Sequence, residues 1–185
     1  MRIVLLGAPG AGKGTQGRAL AEQFGVPHVS SGELLRAEMA ADSDVGRQVR
    51  ESIARGELVP DDLVLSVVGR AVNDAMQTGG YILDGFPRTL EQAKRAFELA
   101  EQAGVDADYA IYLAVPDDVV RERLARRAEG RVDDDDPAVV QRRLDLFHAE
   151  TEPLLEFYRD RGILREVDAS GTPEAVRENI LAALR

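Results

Sequence analysis

Residues 7–15 read G-A-P-G-A-G-K-G-T. Two glycines five apart, followed by lysine, form a loop whose backbone N–H groups can cradle phosphate. In the general fingerprint a Ser or Thr follows the lysine; here Gly14 takes that position and Thr15 arrives one residue late. The chemistry implied is the grip of a nucleotide's phosphates. N–H groups of Gly10, Ala11, Gly12, Lys13, Gly14 and Thr15 face the anion, and Lys13 adds a point charge. The displaced hydroxyl implies that magnesium is not held by a loop Ser/Thr in the usual manner.

A second string, Y-I-L-D-G-F-P-R-T-L-E-Q at Tyr81–Gln92, sets Asp84 before a Gly85-Phe86-Pro87 turn and Arg88 after it. A carboxylate beside bound phosphates suits a hydrated magnesium ion, and a guanidinium suits a second anion. Arg123 and Arg127 lie four apart in R-E-R-L-A-R-R and share one helix face. That spacing fits a phosphate contact, and fits solvated arginines paired with neighbours such as Glu122 equally well. Asp133–Asp136 reads as a solvated loop, with Pro137 opening the next helix. His28 and His148 show no partner pattern and read as structural.

These residues need a strand that ends at Gly7 and a helix that begins soon after it. Ile3–Leu6 is a short apolar run, and a helical pattern follows from Thr15 to about Phe24. Further strand candidates are Tyr81–Asp84, Tyr109–Val115, Ile163–Val167 and a weaker Pro27–Val29. Between them, apolar residues recur at helical spacing, most clearly in Leu63, Val64, Val67, Val68, Ala71 and Val72. Ser30-Ser31-Gly32-Glu33 fits a capping box, and Thr172-Pro173-Glu174 a second helix start. Strands alternating with helices imply an α/β fold with a parallel sheet covered on both faces, and ligands collect at the C-terminal strand ends of such a sheet. Asp84 and the glycine loop are therefore expected on one crevice. About three helices in a row from Ser30 to Thr78 suggest an insertion beside the sheet. Residues 128–137 read as a short exposed loop.

G-A-P-G-A-G-K-G-T together with D-G-F-P-R-T resembles the adenylate kinases, nucleoside monophosphate kinases of the P-loop class, over essentially the full chain. In that family Gly14 is the expected residue. The resemblance implies a P-loop core with a five-stranded parallel sheet flanked by helices, a helical NMP-binding insertion and a short lid. The corresponding division is a core of 1–29, 60–125 and 138–185, an NMP-binding insertion at 30–59 and a lid at 126–137. The implied activity is reversible transfer from Mg-ATP to AMP, giving two ADP, with Mg2+ as cofactor and no zinc.

By the same resemblance Gly10, Ala11, Gly12, Lys13, Gly14 and Thr15 hold the ATP phosphates, with Arg123, Arg127 and Gly171 also on the ATP side. Asp84 positions magnesium through water. Ser31, Arg36, Glu57, Leu58, Val59, Gly85, Phe86, Pro87, Arg88 and Gln92 contact AMP. Arg131 and Arg143 close over the transferring group, with Arg142 as the alternative to Arg143 because the Asp run is one residue longer than usual. The nearest rival is a UMP/CMP kinase, a group that tends to carry Asn where Thr89 stands. The other is a catalytically silent nucleotide-binding module; a guanine-reading N-K-x-D string is missing from the chain.

At 185 residues the chain is long enough for one domain with a sizeable core. A net charge of −10 argues against general affinity for nucleic acid or for an anionic membrane. Only Lys13 and Lys94 are lysines among the 23 Lys+Arg, and there is no cysteine for a disulfide or a thiolate zinc site. No apolar run approaches a membrane span, and the N-terminal residues do not form a secretory signal. The expectation is a cytoplasmic monomer whose partners are the small molecules ATP, AMP and ADP.

Overall fold

The structure is a computed structural model in which residues 1–54, 59–127 and 137–185 are described. Five strands, β1 (Arg2–Leu6), β2 (His28–Ser30), β3 (Tyr81–Asp84), β4 (Tyr109–Ala114) and β5 (Leu164–Asp168), form one sheet in the order β2-β3-β1-β4-β5. All four pairings are parallel. The helices are α1 (Lys13–Phe24), α2 (Ser31–Ala40), α3 (Asp44–Ala54), α4 (Asp61–Met76), α5 (Leu90–Ala103), α6 (Asp117–Arg127), α7 (Pro137–Leu146), α8 (Glu152–Arg159) and α9 (Pro173–Ala183). A π-helical segment, Phe147–Thr151, joins α7 to α8.

Central strands read as near-continuous apolar runs because both faces are covered. One face packs Val4, Leu83 and Ala110 against α4, α5 and α8; the other packs Leu5, Ile82 and Ile111 against α1 and α9. Ile3, Ile82 and Ile111 are fully buried, and each such side chain contributes roughly 1.5–3 kcal/mol of transfer free energy. A third cluster, with Val120, Leu124, Leu144 and Phe147, fixes α6, α7 and the π-helical segment to each other.

Chain order and sheet order together position the site. From β1 the chain crosses to β2 at one edge, and from β3 it crosses to β4 on the other side of β1. Connections leaving adjacent strands in opposite directions open a crevice at their C-terminal ends. In register, Leu5 pairs with Asp84, which brings that carboxylate beside the start of the glycine loop.

Several local expectations need correction. The helix after the loop begins at Lys13 rather than Thr15, the second strand at His28 rather than Pro27, and the last strand is Leu164–Asp168. Ser30 precedes α2 as the last residue of β2, in register with Asp84, and makes no side-chain cap bond. Thr89 and Thr172 do cap, accepting from Gln92 N and Ala175 N. No helix among the described residues is long and apolar enough to cross a membrane.

Candidate functional site

The glycine loop closes on itself before it reaches the helix. Ala11 N donates to Ala8 O at 3.0 Å, and Gly10 and Gly12 have φ of 83° and 98°, backbone that favours glycine. A Cβ on Gly10 would stand 2.9 Å from Leu124 Cγ, so α6 packs directly on the loop. Lys13 Nζ donates to Gly7 O and Ala8 O at 2.7 and 3.0 Å, which curls the ammonium over the loop. The N–H groups at the start of α1 point toward the loop and, with the helix dipole, favour an anion.

Asp84 is 8% exposed at the end of β3. A Cβ on Gly14 would sit 3.6 Å from its Oδ2, so the first turn of α1 runs alongside the carboxylate. His28 Nε2 lies 3.6 Å from Asp84 Oδ2, too far for a hydrogen bond, and is buried with no other partner among the described residues.

Two cavities meet at the loop. The larger, about 770 Å³, is bounded by Gly10, Gly12, Thr15, Arg123 and Ser170–Pro173. Arg123 reaches across it and donates to Ser170 O and Gly171 O, both at 3.0 Å. Gln16 Nε2 donates to Pro173 O at 2.9 Å and ties α1 to the same turn. Arg127 is the last residue of α6.

The smaller cavity, about 150 Å³, brings together Lys13, Arg88 and Arg143 with Gly85, Pro87 and Thr151 at its walls. Arg88 is solvent-exposed, and its guanidinium lies in a concave cleft where neighbouring protein partly desolvates it. Its Nε donates to Gly85 O at 2.9 Å. That desolvation lowers its pKa from arginine's ordinary value, repulsion from Arg143 adds to the effect, and attraction to Asp84 opposes it. Arginine stays protonated regardless, so the arrangement is a concentration of fixed positive charge that an anion would relieve. Arg143, and not Arg142, lines this cleft.

Gln92 is 5% exposed and held at both ends of its amide: its Oε1 accepts from Arg88 N at 2.8 Å and its Nε2 donates to Asp61 Oδ1 at 2.6 Å. Phe86 and Pro87 are buried beneath, joined by a cis peptide bond. Ser31 is 1% exposed, with a hydroxyl that has no partner among the described residues and that a Cβ on Gly85 would meet at 2.6 Å. Val59 is half-buried against the core. Arg36 does not join the cleft; its exposed side chain runs back along α2 beside Gly32. Glu57, Leu58 and Arg131 lie outside the described residues.

Sequence reasoning missed three features. Thr151 Oγ1, at the end of the π-helical segment, donates to Arg88 O at 3.1 Å and carries the α7–α8 junction onto the Arg88 turn. The Asp61–Gln92 contact spans 31 residues and has no local signal. His148 has two carboxylate partners, Glu152 at 2.8 Å and Asp117 at 3.2 Å, the first of which its four-residue spacing did offer. Among the described residues no group of three or more His, Cys, Asp or Glu is placed to enclose a metal ion. A lone carboxylate beside a phosphate cradle instead suits magnesium that arrives hydrated and largely ligated by the nucleotide.

Comparison with known proteins comes to the same place. A family model described as Adenylate kinase matches residues 5–163. A protein of Xanthomonas euvesicatoria pv. vesicatoria named adenylate kinase is 44% identical over 186 residues, covering 100% of this chain and 99% of its own length. Proteins of the same name from Synechococcus sp. (43%, 99% of this chain and 95% of the relative) and Mycobacterium bovis (44%, 100% and 99%) are similarly related.

Proposed function

The chain belongs to the adenylate kinase family, and we propose how its residues divide the work of moving a phosphoryl group between nucleotides. The enzyme catalyses reversible phosphotransfer from ATP to AMP, giving two ADP. The observation that carries the residue assignment is the convergence of Lys13, Arg88 and Arg143 on one cleft at the mouth of the phosphate loop. Three cations around one small space match the need of a reaction that presses two polyanions together.

The donor sits with its phosphates on Gly10–Thr15 and its base end toward Gly171, where Arg123 spans to the Ser170–Gly171 carbonyls; Arg127 joins on the phosphate side. The acceptor phosphate is gripped by Arg88, with Gly85–Pro87, Ser31, the 57–59 stretch and Gln92 lining the rest of its site; Arg36, which runs along α2 beside Gly32, would have to swing off that helix to reach it. Asp84 would hold a magnesium ion through water, and the ion would neutralise charge across the donor phosphates. Lys13 follows the transferring group, and Arg143, joined by Arg131, closes over it.

No protein base is required. The attacking oxygen belongs to a phosphate whose second pKa is about 6, so it is anionic at neutral pH. What the protein contributes is alignment and fixed positive charge. Water is the competing acceptor, so closure has to precede transfer. We assign that closure to 126–137, on the ground that the helices on either side, α6 and α7, carry Arg123 and Arg143. The acceptor insertion is 30–59, and the core is 1–29, 60–125 and 138–185.

The test mixes pure protein with Mg-ATP and each nucleoside monophosphate in turn, with phosphorus NMR following diphosphate formation. Diphosphate from AMP, and far less from UMP or CMP, is the expected result. Equal turnover of UMP or CMP would move the acceptor assignment to pyrimidines, and no diphosphate from any acceptor would overturn the enzyme reading.

A further inference from the structure

We infer that Asp61, at the first position of α4, is a positioning residue that locks the amide of Gln92 in the one orientation that selects a 6-aminopurine acceptor over a 6-oxopurine one. The inference rests on the reading of Gln92 as a contact to the acceptor base.

Gln92 is the third residue of α5, four positions beyond Arg88, and is almost fully buried. Its side-chain amide has two ends of opposite polarity, and its orientation follows from its partners. The backbone N–H of Arg88 is a donor and needs an acceptor, so Oε1 faces it at 2.8 Å. The Asp61 carboxylate is an acceptor and needs a donor, so Nε2 faces it at 2.6 Å. A flipped amide would set donor against donor at Arg88 and acceptor against acceptor at Asp61. Each mismatch leaves a buried polar group unpaired. Asp61 thus supplies one of the two locks, and its place in the first turn of α4 fixes its carboxylate beside Gln92.

Nε2 carries two hydrogens, and Asp61 takes one of them. Among the described residues no other acceptor takes the second. A nucleotide base meeting this amide therefore meets a donor. Ring nitrogen N1 of adenine is an acceptor and pairs with it. In hypoxanthine or guanine the same nitrogen carries a hydrogen, and two donors would face each other. Selection at a buried hydrogen bond of this kind depends on the amide being unable to turn. Asp61 is what prevents it from turning.

The neighbouring Asp62–Arg95 ion pair, 2.5 Å, also links α4 to α5 but does not touch Gln92. It provides the control for a merely structural role. The experiment measures kcat and KM for AMP and for IMP, with Mg-ATP saturating, in the wild type and in D61S, D61N, D62A and Q92A. Serine keeps a good helix start but is too short to reach Gln92; asparagine keeps an acceptor oxygen at the same reach. We expect D61S to raise the KM for AMP and lower the AMP-over-IMP ratio of kcat/KM by about tenfold, with kcat nearly unchanged. D61N restores most of that ratio, and D62A leaves it at the wild-type value. Wild-type selectivity in D61S alongside lost selectivity in Q92A would overturn the role of Asp61 alone. Wild-type selectivity in Q92A would overturn the placement of Gln92 at the base, and the inference with it. Equal losses in D61S and D62A would reduce Asp61 to helix docking.

Discussion

Replacing Arg88 by alanine separates binding from folding in a way few positions allow. Arg88 faces the like charge of Arg143, and among the described residues its side chain hydrogen-bonds through Nε to Gly85 O alone. Crowding and like charge both act against the cation, so its removal should leave the midpoint of thermal unfolding unchanged or slightly raised, as at sites where function has been kept at the expense of stability. The loss on the acceptor side is large. A guanidinium gripping phosphate through two charge-assisted hydrogen bonds, each about 1.5–3 kcal/mol, contributes on the order of 3–6 kcal/mol. At 1.36 kcal/mol per factor of ten, kcat/KM for AMP falls by roughly 10²–10⁴. Arg88→Lys recovers only part of it, because an ammonium cannot form the planar pair. The assay is initial-rate kinetics with each nucleotide varied in turn, beside calorimetric titration of AMP and of ATP into the resting enzyme. AMP binding should collapse while ATP binding stays within about threefold. An Arg88→Ala enzyme that binds AMP normally, or that loses ATP binding instead, would refute the assignment of this cleft to the acceptor.

Other perturbations read different parts of the structure. Lys13→Met should lower kcat by about 10²–10³ with little change in the KM for AMP, since it removes charge from the transferring group; stopped-flow rates decide it, and a near-normal kcat would contradict the role. Gly10→Ala forces a side chain into φ 83° and within 2.9 Å of Leu124 Cγ, so urea unfolding should show a loss of about 2–4 kcal/mol, and a loss under 0.5 would be incompatible with that packing. His148 is held by Glu152 first and Asp117 next, which raises its pKa above the ordinary value near 6.5. The stabilisation from a raised histidine pKa is complete below about pH 6.5 and disappears as pH rises through the folded-state value. The urea-midpoint gap between wild type and His148→Gln should therefore be widest near pH 6 and close by pH 9; a gap that widens with pH would reverse the assignment.

The loop from Gly7 to Thr15 was legible because a strand end, closely spaced glycines and a lysine each constrain the same few backbone torsions. Asp84 was legible for a related reason: it ends an apolar run, and strand ends in a parallel sheet face one crevice. Contacts set by register or by packing were not. His28 comes near Asp84 only because β2 pairs with β3 so that Ser30 stands opposite Asp84. Asp61 reaches Gln92 only once α4 and α5 lie side by side. The π-helical turn at Phe147–Thr151 has no composition of its own; Phe147 stacks on Tyr112 and Thr151 bonds to Arg88 O, and one extra residue in the turn accommodates both. Ser30, despite its capping-box pattern, ends β2 and makes no side-chain cap bond. Thr89 caps as its sequence suggests.

Direct transfer between two nucleotides held on facing anion sites is tested most directly by calorimetric titration with two adenosines joined through a five-phosphate chain, against wild type, Lys13→Met and Arg88→Ala. One molecule should bind per chain, displace both ATP and AMP, and lose affinity in each variant. Two molecules per chain, or competition with ATP alone, would mean that the Lys13 and Arg88 sites do not face each other.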